Sequence, residues 1–135
     1  MKKFFISFAL IVTATLISCA QNAEGDKENN PVEITFEETT HDYGTIPLNG
    51  DGTYAFEFKN TGKEPLILSN VRSSCGCTVP KWPREPIEVG ETGKISVKYN
   101  TRTAGKFSKS VTVYSNASNS PVVLRITGVV EKKTE

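Results

Sequence analysis

Two cysteines separated by one glycine, Cys75 and Cys77, are the residues of this chain best suited to chemistry. In a fully extended strand, residues two apart have Cα atoms about 6.6–7.2 Å apart, whereas a disulfide needs roughly 4.4–6.8 Å. The backbone must therefore bend before the thiols can join, and Gly76 permits a bend at the least cost. A bridge across so short a loop adds little stability. We expect such a bridge to be strained and easily reduced.

The third cysteine, Cys19, follows an apolar run that begins at Phe4 and is preceded by Lys2 and Lys3. A charged start, an apolar middle and a small residue at the exit are typical of a secretory signal peptide. A cysteine directly after the small residue resembles the bacterial lipobox, in which the thiol is lipidated and the signal is cut before it. The run 4–17 is shorter than the roughly 20 residues that span a bilayer. We therefore predict a lipoprotein signal peptide over residues 1–18 and lipidation of Cys19.

With Cys19 assigned to the lipid, four interpretations of the remaining pair stay open. Cys75 and Cys77 form a local disulfide that only fixes a turn, or they are two unreactive thiols. Alternatively the pair is redox-active or holds Cu(I), or one cysteine is a nucleophile. A structural zinc site is not expected, because it needs four ligands and only His41 adds to the two thiols. We expect no cofactor, with Cu(I) as the alternative.

Residues 19–31 are predicted to be a lipidated flexible tether, because residues 20–30 are polar apart from two alanines. Loss of the two lysines with the signal lowers the formal charge from +1 to −1. The remaining basic residues are scattered, which excludes nucleic acid as a partner. About 100 residues are left for one domain, a size that supports a single core. We place this domain at 32–130 and a polar tail at 131–135.

Apolar and polar residues alternate through much of the domain, most clearly in the runs 54–58, 95–99 and 122–126. This pattern is typical of strands with one face on a core, and short polar turns separate the runs. About seven such strands predict an all-β, antiparallel, immunoglobulin-like β-sandwich. Lys109 falls on the apolar face of its run, which predicts a bulge or an edge position there.

The only tryptophan, Trp82, lies among Pro80, Pro83 and Pro86. Proline removes backbone donors and bars a central strand, so the segment is predicted to be a stiff loop or an edge strand. Trp82 either caps the open end of the core or serves as an aromatic anchor for a protein or glycan partner. Both interpretations stay open.

The adjacent residues His41 and Asp42 invite a catalytic interpretation. Neighbours on a strand point to opposite faces, so these two side chains are not expected to form a dyad. The chain has no nucleophile elbow and no phosphate-binding glycine loop. We therefore expect a protein that is not an enzyme.

Five phrases occur in the order 41–46, 56–62, 73–80, 86–91 and 113–116, and the Cys-Gly-Cys phrase is the most specific of them. Together they resemble the domain-of-unknown-function 1573 family of exported bacterial proteins, from about residue 36 to residue 128. The resemblance implies an immunoglobulin-like sandwich related to chaperone-type and sperm-protein-type domains. It implies no activity, because the family has none assigned.

These features predict a lipid-anchored binding module of the cell envelope, held to the membrane by the lipid at Cys19. Its partner is predicted to be an envelope protein or glycan, bound by loops or by a strand edge. The outer membrane is favoured, because Ala20 replaces the aspartate of the best-known inner-membrane retention rule. The alternative function is thiol redox or Cu(I) handling by Cys75 and Cys77. No pattern in the sequence predicts an oligomeric state.

Overall fold

A computed structural model describes residues 31–134 of the chain, and it contains strands and turns but no helix within that range. The strands are β1 (Ile34–Phe36), β2 (Thr40–Pro47), β3 (Thr53–Asn60), β4 (Leu68–Ser73), β5 (Thr78–Lys81), β6 (Thr92–Tyr99), β7 (Gly105–Ser115) and β8 (Val122–Glu131). The predicted signal peptide, Cys19 and all but the last residue of the predicted tether lie outside the described residues. Across residues 31–134, no helix is long and apolar enough to cross a membrane.

The strands form two four-stranded sheets, one in the order β1-β3-β6-β5 and the other in the order β2-β8-β7-β4. We call them sheet A and sheet B. The predicted all-β sandwich is confirmed, with eight strands instead of about seven. One pair departs from the antiparallel expectation, because β2 runs parallel to β8. After β1 the chain crosses from sheet A to sheet B at residues 37–39, and it then continues in the direction of the last strand.

The core consists of the inward-facing alternate residues of both sheets. In sheet A these are Phe56 and Phe58 of β3, with Ile95 and Val97 of β6, and each is at most 1% exposed. In sheet B they come mainly from β7 and β8, with Val111, Val113, Leu124 and Ile126 fully or almost fully buried. Burial of each such side chain stabilises the fold by about 1.5–3 kcal/mol. The apolar residues of the alternating runs are therefore the ones that face the core.

The prediction of a bulge or an edge at Lys109 is wrong. β7 is an interior strand of sheet B, and its register with β8 is unbroken from the Gly105–Val130 pair to the Val113–Val122 pair. Lys109 is half-buried and keeps its place on the inward row of β7. The neighbouring strand β4 has already ended at Ser73, opposite Val111. The lysine thus lies beside the opening that β4 leaves when it departs from the sheet.

The sandwich has two distinct ends. At the end where the described chain begins, the amides of Lys63 and Glu64 donate to the carbonyl of Pro31, at 2.6 and 2.7 Å, and Ile34 pairs with Asn60 at the end of β3. We call this the N-terminal end. β3, β5 and β7 begin at the opposite end, which we call the distal end and which comprises loops 48–52, 74–77 and 100–104.

One buried amide organises the N-terminal end. The side chain of Asn60 is fully buried, and its Nδ2 donates to the carbonyls of Glu64 at 2.8 Å and Ile87 at 2.9 Å. Its Oδ1 accepts from the amide of Gly62 at 3.0 Å. Because buried polar groups must be paired, this side chain fixes the loops 61–65 and 85–91 against each other.

Candidate functional site

The Cys75–Cys77 turn lies at the distal end, where the chain passes from β4 of sheet B to β5 of sheet A. The structure joins the two cysteines as a disulfide with Cα atoms 5.3 Å apart, so the backbone has the bend that the spacing requires. Gly76 does not have a left-handed φ, and a Cβ built on it meets no atom within 4 Å. The bend therefore does not depend on glycine, contrary to the expectation from the sequence.

Hydrogen bonds hold this turn on both sides of the disulfide. The amide of Thr78 and the hydroxyl of Ser73 both donate to the carbonyl of Cys75, at 3.4 and 2.6 Å. The amide of Asn100, just after β6, donates to the carbonyl of Cys77 at 2.8 Å. The turn is thus fastened to its neighbours by contacts that do not involve sulfur.

The hydroxyl of Thr78 lies beside both sulfur atoms. Its Oγ1 is 4.0 Å from Sγ of Cys75 and 3.9 Å from Sγ of Cys77. Thr78 is 2% exposed, whereas both cysteines are half-buried. A buried hydroxyl at this position can donate a hydrogen bond to sulfur, and such a bond is strongest when the sulfur is ionised.

An open cleft of about 890 Å³ lies next to the turn. Gly76 and Cys77 form one wall, and the segments 49–53 and 98–102, each a loop with the adjoining end of a strand, form the others. The loops are tied together by the amide of Asn49, which donates to the carbonyl of Thr101 at 3.0 Å, and by the hydroxyl of Thr101, which donates to the carbonyl of Gly50 at 2.6 Å. We call this space the distal cleft.

Charged side chains of both signs line the distal cleft. Lys98 and Arg102 supply positive charge and Asp51 supplies a carboxylate. Hydrogen bonds from the hydroxyl and the amide of Thr53 lower the pKa of Asp51, and Lys98 adds to the effect. Asp51 therefore stays ionised, and the cleft offers both donors and an acceptor to a polar ligand.

Trp82 is half-buried and packs against the core, and it is not one of the residues that line the distal cleft. The guanidinium carbon of Arg84 lies 3.9 Å from the centroid of its ring, which is a cation–π geometry. Its Nε1 is buried and has no hydrogen-bond partner within residues 31–134. Arg84 therefore occupies a face of the ring that a partner would contact, and a binding role for Trp82 stays a prediction.

His41 belongs to an aromatic cluster that sequence reasoning missed. Its ring stacks on that of Tyr54, with centroids 3.5 Å apart and planes at 8°, and meets the edge of Tyr43 at 4.7 Å. The carboxylate of Asp42 accepts from the amide of Gly44 at 2.8 Å. The adjacent His and Asp thus make separate contacts, as the strand geometry predicts. Of the three residues, only Tyr54 was indicated by the sequence, through the apolar alternation of β3.

The hydroxyl of Tyr43 donates to the carbonyl of Gly52 at 2.8 Å. Burial raises the pKa of Tyr43 to about 12, and the negative charge of Asp51 contributes. The neutral phenol is therefore fixed as a donor, and it joins β2 to the loop that borders the distal cleft.

Groups of three or more His, Cys, Asp or Glu that could hold a metal ion do not occur in residues 31–134. A Cu(I) site formed by Cys75 and Cys77 would have only two ligands, so the statement above does not concern it and it stays a prediction.

The family described as "Protein of unknown function (DUF1573)" matches residues 34–130. The chain belongs to this family. The match covers nearly the whole sandwich, including β1 to β7, most of β8 and the Cys75–Cys77 turn. The family resemblance drawn from the sequence is thus confirmed. No curated protein matches this chain.

Solved structures share the fold of this DUF1573 sandwich. A PapD-like domain of human CEP192 superposes with a TM-score of 0.62 at 12% identity, over 77% of this chain and 87% of that one. A protein of unknown function from Porphyromonas gingivalis W83 gives 0.58 at 19%, over 76% of this chain but only 46% of that one. The CsuC–CsuE chaperone–tip adhesion subunit complex of Acinetobacter baumannii gives 0.50 at 15%, over 75% and 57%. At these identities the likeness shows a PapD-like β-sandwich and nothing more specific.

Proposed function

We propose that this DUF1573 protein is a non-enzymatic, lipid-anchored binding protein of the cell envelope, which presents its distal end to a protein partner. One observation carries the proposal. The chain enters the sandwich at the N-terminal end, at Pro31, whereas the distal cleft and the Cys75–Cys77 turn lie at the opposite end. With a lipid on Cys19, the cleft would face away from the membrane and towards the aqueous compartment.

The tether has a suitable length for this orientation. About twelve residues separate Cys19 from Pro31, and a flexible chain of that length spans about 20 Å on average. This distance lifts the N-terminal end clear of the lipid headgroups while it keeps the domain near the membrane. We propose the outer membrane as the location of the anchor, because Ala20 follows Cys19 where the inner-membrane retention rule requires an aspartate.

A protein partner is favoured over a glycan. The distal cleft combines polar side chains with the backbone of a tight turn, and the exposed side chain of Val79 adds an apolar contact. A sandwich of the same fold occurs in the complex of a chaperone with a tip adhesion subunit, so this architecture is compatible with binding another protein.

Site-specific photo-crosslinking in intact cells tests the proposal with the full-length protein. A photoreactive residue is placed at Arg102 in the distal cleft, and in a matched control at Val89, which is 51% exposed at the N-terminal end. We expect a discrete crosslinked protein from position 102 and none from position 89. Failure of position 102 to capture a protein, or equal capture at both positions, would contradict the proposal.

A further inference from the structure

We propose that the Cys75–Cys77 disulfide exchanges with the thiols of a partner protein, with Sγ of Cys77 as the atom attacked and Cys75 as the leaving thiolate. The substrate class is a closely spaced pair of protein thiols outside the cytoplasm. This activity does not require the lipid anchor or a stable complex. It can therefore fail while the proposed binding function stands, and the reverse also holds.

The disulfide contributes little to the shape of the turn. The loop it closes contains one intervening residue, and such a short loop gains little stability from cross-linking. The carbonyls of Cys75 and Cys77 are held instead by Ser73, Thr78 and Asn100. The reduced turn therefore keeps its backbone, and its two thiols stay close enough to form the bond again.

The two cysteines differ in their position relative to the distal cleft. Cys77 lines the distal cleft together with Gly76, whereas Cys75 does not line it. An incoming thiolate that enters the cleft therefore meets Cys77 first. Lys98 and Arg102 line the same space, and their positive charge favours the thiolate form of an approaching cysteine.

Lys109 is the cation best placed to act on the leaving group. The amide of Ser74 donates to the carbonyl of Ser110 at 2.8 Å, one residue beyond the Ser73–Val111 pair of β4 and β7. Ser110 is the chain neighbour of Lys109, so we infer that this lysine lies within reach of the turn that begins at Cys75. This arrangement accounts for a half-buried lysine on the inward row of β7. The hydroxyl of Thr78 lies 4.0 Å from Sγ of Cys75 and 3.9 Å from Sγ of Cys77, so it can donate to the thiolate formed at either position.

The exchange takes place in two displacement steps. The partner thiolate forms a bond with Sγ of Cys77, the Cys75–Cys77 bond breaks, and its electron pair stays on Sγ of Cys75. The second partner thiolate then attacks the partner sulfur of the mixed disulfide, and Cys77 leaves as a thiolate. Two electrons pass from the partner dithiol, which is oxidised to a disulfide, to the turn, and the two protons of the dithiol end on Cys75 and Cys77. A partner disulfide reverses the same steps and reoxidises the turn.

Redox titration and trapping test the exchange on the full chain carrying Cys19→Ser, so that only Cys75 and Cys77 react. In mixtures of reduced and oxidised glutathione, quantified by alkylation and mass spectrometry, we expect the pair to pass from disulfide to dithiol. We also expect Cys75→Ser, which keeps Cys77, to form a mixed disulfide with oxidised glutathione at least about ten times faster than Cys77→Ser. Two results would overturn the proposal: a disulfide that stays closed at every ratio of reduced to oxidised glutathione, or a mixed disulfide that forms faster in Cys77→Ser, which keeps Cys75, than in Cys75→Ser.

The positioning residues are tested by the rate at which dithiothreitol reduces the turn. We expect Lys109→Gln to slow reduction about five-fold at low salt, with the difference shrinking as salt rises. Lys106→Gln is the matched control, because Lys106 is an exposed lysine on the same strand. Thr78→Val should also slow reduction, whereas Thr78→Ser keeps the hydroxyl and the rate. If Lys109→Gln and Thr78→Val are reduced as fast as the wild type, and their unfolding midpoints are unchanged, neither residue takes part in the mechanism.

Discussion

The side-chain amide of Asn119 pairs with both backbone groups of Ile34. Its Oδ1 accepts from the amide of Ile34 at 3.2 Å, and its Nδ2 donates to the carbonyl of the same residue at 2.8 Å. Ile34 lies in β1, an edge strand of sheet A. One side chain from the loop before β8 thus takes the place of a neighbouring strand and closes an edge that could otherwise pair with another chain.

Removal of this cap is expected to destabilise the sandwich. We predict that Asn119→Ala lowers the free energy of unfolding by about 1–2 kcal/mol, because two backbone groups of β1 lose their partner. Urea denaturation monitored by circular dichroism measures the change. Asn70→Ala is the control, since Asn70 is a half-buried asparagine of the edge strand β4, and we expect it to stay within about 0.5 kcal/mol of the wild type. Equal effects of both substitutions would contradict the role assigned to Asn119.

The sequence predicts the central strands well because their alternation is a direct consequence of burial. β3, β6 and β8 each pack one face on the core, and their apolar residues recur with period two. β2 gives no such signal, since its pairing with β8 shifts between Asp42 and Thr45 and Gly44 has a left-handed φ of 63°. A break in register cancels the periodicity on which the prediction depends.

One part of the candidate site could be predicted from the sequence and the other part could not. The cysteine pair is local, so spacing alone identifies it and requires the bend. The distal cleft is not local, because the segments 49–53 and 98–102 are far apart in the sequence and the pairing of β3 with β6 brings them together. Its residues, such as Asn49 and Arg102, carry no pattern of their own. Long-range strand pairing therefore hides the cleft from a sequence-based prediction.

Two glycines that look alike in sequence should respond differently to alanine. A Cβ at Gly93 would overlap ring atoms of Phe58, which is 1% exposed, so Gly93→Ala is expected to cost about 1–3 kcal/mol of stability. A Cβ at Gly76 meets nothing within 4 Å. Gly76→Ala should therefore change stability by less than about 0.5 kcal/mol and leave the disulfide intact in a thiol assay. A larger loss from Gly76→Ala than from Gly93→Ala would contradict the geometry of the turn.

Tyr43 should make stability fall at high pH. Burial raises its folded pKa to about 12, above the ordinary value of 10.0 for tyrosine, so the unfolded chain loses this proton first as pH rises. Its contribution to stability is complete below pH 10 and is lost as pH rises through about 12.

Tyr43→Phe should remove this part of the fall in stability, and it should cost about 1 kcal/mol at neutral pH because the hydrogen bond to Gly52 is lost. Urea denaturation at pH 7, 10 and 11.5 measures both effects, with Tyr114→Phe, on an exposed ring, as the control. A Tyr43→Phe variant with the same pH dependence as the wild type would refute the assignment.

The lipid anchor is tested at Cys19, independently of the sandwich. If the thiol of Cys19 carries lipid, Cys19→Ala should lose label from radioactive or clickable fatty acid and leave the membrane fraction, because each lost CH₂ group in the bilayer contributes about 0.8 kcal/mol to membrane binding. The double substitution Cys75→Ala and Cys77→Ala removes the other thiols of the chain and should keep both the label and the membrane location. The pair of variants thus separates lipidation from any other chemistry of cysteine. Wild-type protein without acyl label, or a Cys19→Ala variant that stays in the membrane fraction, would refute the anchor and remove the reason for the distal cleft to face away from the bilayer.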